Sequence, residues 1–347
     1  MKRVLIGMSG GVDSSVAAIL LQNQGYEVVG LTFIFTDDFD TKDAVEVCKK
    51  LNIELHIMDY REEFKKTVIE GFINDYKIGL TPNPCVLCNR KIKFNFLYQN
   101  MEKLNCDYIA TGHYAKIING RLYKSEDLNK DQTYFLAQLP QNILNKLLLP
   151  LERVSKETVR EIARTNDLIN ANRKDSTDVC FITNGFKDFM DNNSDNIHGV
   201  IIDVSTNKVI GQHNGLSKYT IGQRKGLNIG GLGNRTYVVG KDVKQNILYI
   251  ATGDSNEFLY STSCLVTNFN SITNNKIITA EARFRYRQPL TGVDIEYIDD
   301  KTIIVKYPQG VKSVTPGQAC VLYQDNECLG GGIIKEIYKD EKKIWYL

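Results

Sequence analysis

Near its start the chain passes from a short apolar run, Val4-Leu5-Ile6-Gly7, through Met8-Ser9-Gly10-Gly11-Val12-Asp13-Ser14-Ser15 into Val16-Ala17-Ala18-Ile19-Leu20-Leu21, a run of helix formers that closes at Gly25. The order strand, paired glycines, helix leaves few folds open. It predicts a buried strand whose exit loop meets the positive end of a helix, a site suited to phosphate. The two glycines let backbone N–H groups approach an anion with no Cβ between them, and Ser14 and Ser15 add hydroxyl donors. Gly7, Met8, Ser9, Gly10, Gly11, Val12, Asp13 and Ser14 are therefore the candidate pyrophosphate cradle, with Asp13 a candidate carboxylate for Mg²⁺. No Gly-x-x-x-x-Gly-Lys-Ser/Thr occurs. The loop thus points to an enzyme that splits ATP between its α- and β-phosphates, not to a γ-phosphate NTPase.

Strand-like and helix-like segments alternate after this loop. Tyr26 to Phe35, Ile53 to Met58 and Tyr108 to Thr111 read as strands; residues 41–51, 61–77 and 89–104 read as helices, and Ser155 as the N-cap of a helix over 156–164. Such alternation predicts right-handed crossovers and a parallel sheet, with ligands off the carboxyl ends of the strands. Asn119-Gly120 marks a tight hairpin. Beyond about residue 198 short alternating strands separated by Asn, Gly and Asp turns take over, and several strands after residue 261 suggest a small closed barrel. The expected division is an α/β domain over 1–198, a small β-rich domain over 199–260 and a C-terminal β-barrel over 261–347.

At 347 residues, 42% hydrophobic and 24% charged, the chain has the composition of a folded protein, and its net charge of +2 does not by itself announce a nucleic-acid partner. No export signal or apolar run long enough for a membrane span is present, so no membrane partner is expected and the cytoplasm is the expected location. There the eight cysteines suggest catalysis or metal binding more than structural disulfides. Thr81-Pro82-Asn83-Pro84-Cys85-Val86-Leu87-Cys88-Asn89-Arg90 is a proline-stiffened loop entering a helix, a setting that lowers thiol pKa; Arg90, Lys91 and Lys93 push the same way, so a thiolate at neutral pH is expected. Cys-x-x-Cys is also a common half of a zinc site. Cys48, Cys106, Cys264 and Cys320 fit core packing. Cys180 differs, because it follows the polar Lys174-Asp175-Ser176-Thr177-Asp178 and precedes an expected apolar strand.

The glycine loop with its flanking strand and helix resembles the PP-loop ATP pyrophosphatases, which are adenine nucleotide alpha hydrolase-like in fold. They adenylate an oxygen of their substrate and release pyrophosphate. Taken in order, GMSGGVDS, PNPCVLCNRKIKF, ATGHY, NKDQTYFL, KDSTDVCFI, IGQRKGLNIGG and RFRYRQ resemble the tRNA-specific 2-thiouridylase family over nearly the whole chain. That resemblance implies ATP phosphates at Gly7 to Ser14, adenine near Phe33, and Gly112 completing the nucleotide site. It implies Cys88 as nucleophile and Cys180 as persulfide carrier, with Asn83, Pro84 and Cys85 meeting the target uridine. It implies tRNA contacts at His113, Lys130, Asp131, Gln132, Arg285, Tyr286, Arg287 and Gln318.

The implied chemistry is ATP-dependent 2-thiolation of a tRNA wobble uridine, with ATP and Mg²⁺ as cofactors and a sulfur-donor protein or sulfide source and a reductant as further partners. Many family members carry Asp where this chain has Cys85, and a thiol cannot copy a carboxylate. Two sulfur routes follow. One is a persulfide on Cys180 relayed through Cys88; the other is a [4Fe-4S] cluster held by Cys85, Cys88 and Cys180, with one iron open to sulfide.

Arg283-Phe284-Arg285-Tyr286-Arg287 alternates cations with aromatics, which on a strand would put three arginines on one face, suited to phosphate or equally to a charged sheet edge. Gly222-Gln223-Arg224-Lys225-Gly226 is a similar basic turn. His56, His198 and His213 have no evident chemical context. The rival readings are another PP-loop adenylating enzyme, such as a tRNA lysidine synthetase or amidotransferase, and a non-catalytic RNA-binding protein with a zinc hook at Cys85 and Cys88.

Overall fold

A computed structural model describes residues 1–173, 179–227, 229 and 235–346. The N-terminal sheet is parallel throughout, in the order Glu54–Asp59 (β3), Glu27–Ile34 (β2), Arg3–Gly7 (β1), Tyr108–Ala110 (β4) and Leu147–Leu148 (β7). Val4, Leu5 and Ile6 have no exposed surface. Burial of such side chains stabilises the fold by about 1.5–3 kcal/mol each. Both faces of the central strands β1 and β2 are covered, which is why these two read as continuous apolar runs, while edge strand β3 has no buried residue.

Ser155 accepts the Thr158 N–H at 3.2 Å and caps the helix Lys156–Thr165. Residues 61–77 form one helical stretch that widens to π geometry at Lys65–Ile69; residues 84–103 form another that widens at Asn89–Lys93. Such widened turns cluster at functional sites.

A hairpin of Lys116–Ile118 (β5) and Arg121–Tyr123 (β6) turns through Asn119 and Gly120, whose φ of 51° and 75° match the turn the Asn-Gly pair favours. It leaves the N-terminal sheet and pairs with the barrel, Leu122 opposite Cys328.

Gly199–Asp203 (β8), Lys208–His213 (β9), Thr236–Asp242 (β10) and Ile247–Thr252 (β11) make a second sheet in the order β10-β11-β8-β9. The third contains Tyr260–Ser271 (β12), Thr279–Arg283 (β13), Thr291–Asp299 (β14), Thr302–Lys312 (β15), Ala319–Gln324 (β16) and Glu327–Lys339 (β17). Its order β12-β15-β14-β13-β16-β17 closes through β12 on β17, a barrel of six strands. Closure removes the exposed edges.

Two sequence expectations are corrected. β13 ends at Arg283, so Arg283, Arg285 and Arg287 do not share a strand face. Arg283 lies over the Tyr323 ring, while Arg285 turns inward and donates to the Ile221 carbonyl at 2.8 Å and to Thr315 Oγ1 at 2.7 Å. Cys180 starts no strand; the Ile182 N–H donates to the Val179 carbonyl at 2.9 Å, closing a turn. Residues 174–178 of the motif before it, and Asn228, Gly230 and Gly231 of the basic glycine motif, lie outside the described residues.

Candidate active site

Gly7 ends β1, and Val12–Asn23 begins as a helix directly after Gly11 with no side chain capping it. The first helical N–H groups are thus left for an anion. The side chains of the loop are spent on holding its shape. Ser9 Oγ lies 3.2 Å from Ser14 Oγ and accepts the Gly11 N–H at 3.3 Å; Ser14 and Ser15 hydroxyls both donate to the Gly11 carbonyl at 3.0 Å. Met8 is tied at both ends, its N–H to the Leu31 carbonyl and its carbonyl to the Thr32 hydroxyl, each at 2.8 Å. Gly10 has φ of 73°, the left-handed region that favours glycine.

Hydrogen bonds and one close approach from distant parts of the chain complete the loop. Buried Asn170 donates to the Gly10 carbonyl and to Ser15 Oγ, each at 2.9 Å. Lys156 Nζ and the Tyr114 hydroxyl both donate to Asp13 Oδ1 at 2.7 Å. Asp13 is therefore already charge-compensated, with one carboxylate oxygen engaged. Gly112 passes so close that a Cβ there would sit 2.7 Å from Asp13 C and from Ser14 N. Neither Lys156 nor Asn170 was legible as a loop partner, because nothing in sequence couples positions so far apart.

Phe33 is buried at the end of β2, its ring 5.4 Å from Phe35 and 5.7 Å from Tyr60. His113 follows β4, and its Nδ1 lies 2.8 Å from Thr111 Oγ1. Burial, with the neighbouring Lys93 charge, holds the imidazole well below its ordinary pKa, so it is neutral.

The thiol segment begins where Asn83 caps the helix Pro84–Cys88 by accepting the Val86 N–H at 3.3 Å, with Pro84 at the first helical position. The preceding strap is pinned to the barrel. The Thr81 N–H donates to the Pro316 carbonyl at 2.9 Å, and Gln318 Nε2 donates to the Thr81 carbonyl at 2.6 Å. Cys88 packs against an aromatic cluster of Phe64, Phe72 and Phe181, and Val179 and Ile182, which bracket Cys180, pack on the same cluster. Cys85 and Cys180 reach solvent and Cys88 is half-buried; all three are free. They are close enough for a charge on Cys180 or Cys85 to be felt at Cys88.

The expected thiolates are not found at rest. Desolvation pushes Cys88 up to about 12, outweighing the lowering by Lys93, and pushes Cys85 and Cys180 up as well. A helix start and nearby cations favour a thiolate, but at Cys88 desolvation is the larger effect.

The remaining candidates divide. Asp131 is buried, accepts the Thr133 hydroxyl at 2.7 Å and lies 3.9 Å from Arg283, while Gln132 Oε1 accepts the Tyr114 N–H at 2.9 Å. These, with Arg285 and Gln318, are engaged inside the protein. Lys130 is half-buried, Tyr286 packs its ring 4.4 Å from Phe135, and Arg287 is exposed.

A parallel sheet carrying a phosphate-binding loop of this build at β1, in a chain that also gathers free thiols near Cys88, defines an ATP-using enzyme of the PP-loop class. Family models match in sequence order: "tRNA methyl transferase HUP domain" over residues 2–184, "tRNA methyl transferase PRC-barrel domain" over 187–252 and "Aminomethyltransferase beta-barrel domain" over 261–334. The chain is 44% identical over 369 residues to a protein of Mycoplasmopsis synoviae, covering 100% of this chain and 99% of that one. It is 42% identical over 363 residues to one of Bacillus cytotoxicus, covering 99% and 98%. Both relatives are named tRNA-specific 2-thiouridylase MnmA. A 4-thiouridine synthetase–RNA complex with bound ATP overlaps 49% of this chain and 42% of its own at 16% identity, with a TM-score of 0.38. The chain belongs to the tRNA-specific 2-thiouridylase family. That membership does not favour the lysidine synthetase, amidotransferase or zinc-hook readings. No helix among the described residues is long and apolar enough to cross a membrane.

Proposed function

We propose that the chain thiolates the wobble uridine of tRNA through a persulfide relay between Cys180 and Cys88, with domains divided near residues 198 and 260. The uridine 2-oxygen attacks the α-phosphorus of ATP, pyrophosphate leaves, and a poor leaving oxygen becomes part of AMP. The terminal sulfur of a Cys180 persulfide anion adds to C2. Cys88, as thiolate, attacks the inner sulfur of that persulfide; the S–S electron pair passes to the sulfur now on C2, C2=S forms, and AMP departs. A Cys88–Cys180 disulfide is left. A two-electron reductant resets it, and a sulfur-donor protein or sulfide source reloads Cys180; such a cycle suits a reducing compartment such as the cytoplasm.

Gly7 to Ser14 and Gly112 bind and orient the triphosphate, with adenine toward Phe33. Asn83, Pro84 and Cys85 line the approach of the uridine, and Arg287, Lys130 and Tyr286 offer the outer tRNA surface. His113, Asp131, Gln132, Arg285 and Gln318 serve that surface by fixing its frame. Mg²⁺ is bound in many enzymes by one carboxylate plus substrate phosphates; Asp13 supplies such a carboxylate, and the ion would offset charge on departing pyrophosphate. A [4Fe-4S] cluster held by Cys85, Cys88 and Cys180 would be the other sulfur route, supplying an open iron for sulfide; no step is derived through it.

The observation supporting this reading is the pair of free thiols, Cys88 and Cys180, on one aromatic patch. The test replaces each with Ser and measures 2-thiouridine formed from ATP, tRNA and a persulfide donor, alongside iron and acid-labile sulfide in anaerobic protein. Loss in both variants with iron-free active protein is expected. Undiminished product, or activity that tracks iron, sinks the relay.

A further inference from the structure

In the helical stretch that carries the thiols, just past Cys88 in sequence, residues line a cavity of about 610 Å³ that no step above uses. Arg90, Lys91 and Asn95 come from the helical stretch 84–103, Glu63 from the stretch 61–77, Gln138 from the segment before Pro140, and Asn270 from β12. Arg90 and Lys91 make no ion pair among the described residues. Gln138 is only 4% exposed, and its Oε1 accepts from Arg90 Nη1 at 3.4 Å. That cation fixes the amide, since the reverse orientation would set N–H against N–H. Gln138 Nε2 then has no hydrogen-bond partner. Asn270 holds the wall rigid by donating to the carbonyls of Ala137 and Leu139 at 3.3 and 3.0 Å.

A buried amide with an unspent donor, framed by two unpaired cations in a cavity of ligand size, is a polar pocket lacking its acceptor. We propose that it is a subsite for one nucleotide of the bound tRNA close to the target uridine. Arg90 and Lys91 hold its phosphodiester, and Gln138 donates to a carbonyl on its base. The inference rests on the tRNA reading above and adds a recognition element to it.

The test measures binding of an anticodon stem-loop RNA with a wobble uridine across a salt series, without ATP. Removing one cation that holds a phosphate lowers the slope of log K against log salt by about 0.7–0.9. The Arg90→Gln/Lys91→Gln double variant should weaken binding about tenfold or more at low salt and reduce the slope by about 0.7–0.9, the share of the one phosphate the two cations hold. Gln138→Leu should weaken it about threefold to tenfold with the slope unchanged. Lys91 is exposed, so Lys91→Gln alone carries the slope readout should the double variant misfold. Wild-type slopes and affinities in all variants overturn the subsite, as does an equal slope change in Lys342→Gln, an exposed charge at the barrel's C-terminal end. Failure of the unaltered protein to bind the RNA sinks the function itself instead.

Discussion

The phosphate loop and the thiol segment are built to different ends. In the loop nearly every polar side chain is committed to the protein: Ser9, Ser14, Ser15 and Asn170 bond within it, and Asp13 is held by Lys156 and Tyr114. What is left over is backbone N–H, a fixed set of dipoles for an anion. In the thiol segment Cys85 and Cys180 face solvent, while desolvation holds the pKa of half-buried Cys88 up. Nucleotide binding is thus preorganised, whereas the sulfur step requires a proton to leave when substrate arrives. The two halves should be separable by mutation.

The largest effect is expected from Cys88→Ser and Cys180→Ser. Removing an attacking group costs on the order of 10³–10⁶ in rate, so 2-thiouridine formation should fall by about 10⁴-fold in each. Pyrophosphate release with tRNA and ATP should stay within about threefold, because the loop does not depend on either sulfur. Quantifying both products from one reaction checks this. A parallel fall in pyrophosphate would show the halves to be coupled.

Next comes the pH dependence of the Cys88 thiol. With its value pushed up to about 12, alkylation at pH 7.5 should be about a hundredfold or more slower than for a free cysteine of ordinary pKa near 8.5, rising steadily with pH. The sign for stability follows. The folded state holds this proton more tightly than the unfolded chain, so above about pH 8.5 the unfolded chain carries fewer protons and stability falls as pH rises toward the folded value. Mass-spectrometric alkylation rates from pH 7 to 10 test this. Adding ATP and tRNA should accelerate the reaction if substrate arrival draws off the proton; an unchanged rate would remove that part of the contrast.

A smaller change should come from Gly112→Ala. The added Cβ would meet the Asp13 and Ser14 backbone at 2.7 Å, and overpacking of this kind costs about 1–3 kcal/mol. ATP affinity should drop about tenfold by calorimetry, while the Cys88 alkylation profile stays as it was. A shifted profile would mean that the loop and the thiols share one rigid unit.

The same contrast decides what sequence could tell. The loop was legible because strand, glycines and helix are contiguous, so its chemistry is written within a dozen residues. Asn119-Gly120 gave its hairpin for the same local reason, but not the docking of that hairpin on β17, which depends on a partner some two hundred positions away. The pairing of Cys180 with Cys88 came from family resemblance alone. The raised thiol pKa is not written in the segment itself, because the apolar cluster that Cys88 packs against is assembled from residues as far apart as Phe64, Phe72, Phe181 and Met190. Arg283 to Arg287 was misread because alternating cations and aromatics look alike whether the chain continues as a strand or turns an arginine inward, as Arg285 does.

Gln318 provides the finest test of the contrast. Its amide is 2.6 Å from the Thr81 carbonyl, next to the Thr81 N–H bonded to Pro316. Gly317 lies against the same residue so closely that a Cβ would come within 2.9 Å of Thr81 N. The barrel thus sets the strap that leads to Asn83, Pro84 and Cys85. If Gln318 acts through the strap, Gln318→Ala removes one hydrogen bond, about 1 kcal/mol. Thiolation should fall about threefold, with the salt slope for RNA unchanged, and Cys85 should alkylate faster as its helix start loosens. If instead Gln318 touches RNA directly, RNA affinity falls while Cys85 reactivity does not move. The two outcomes differ in which half of the site responds, so measuring Cys85 alkylation and RNA binding on the same variant decides between them.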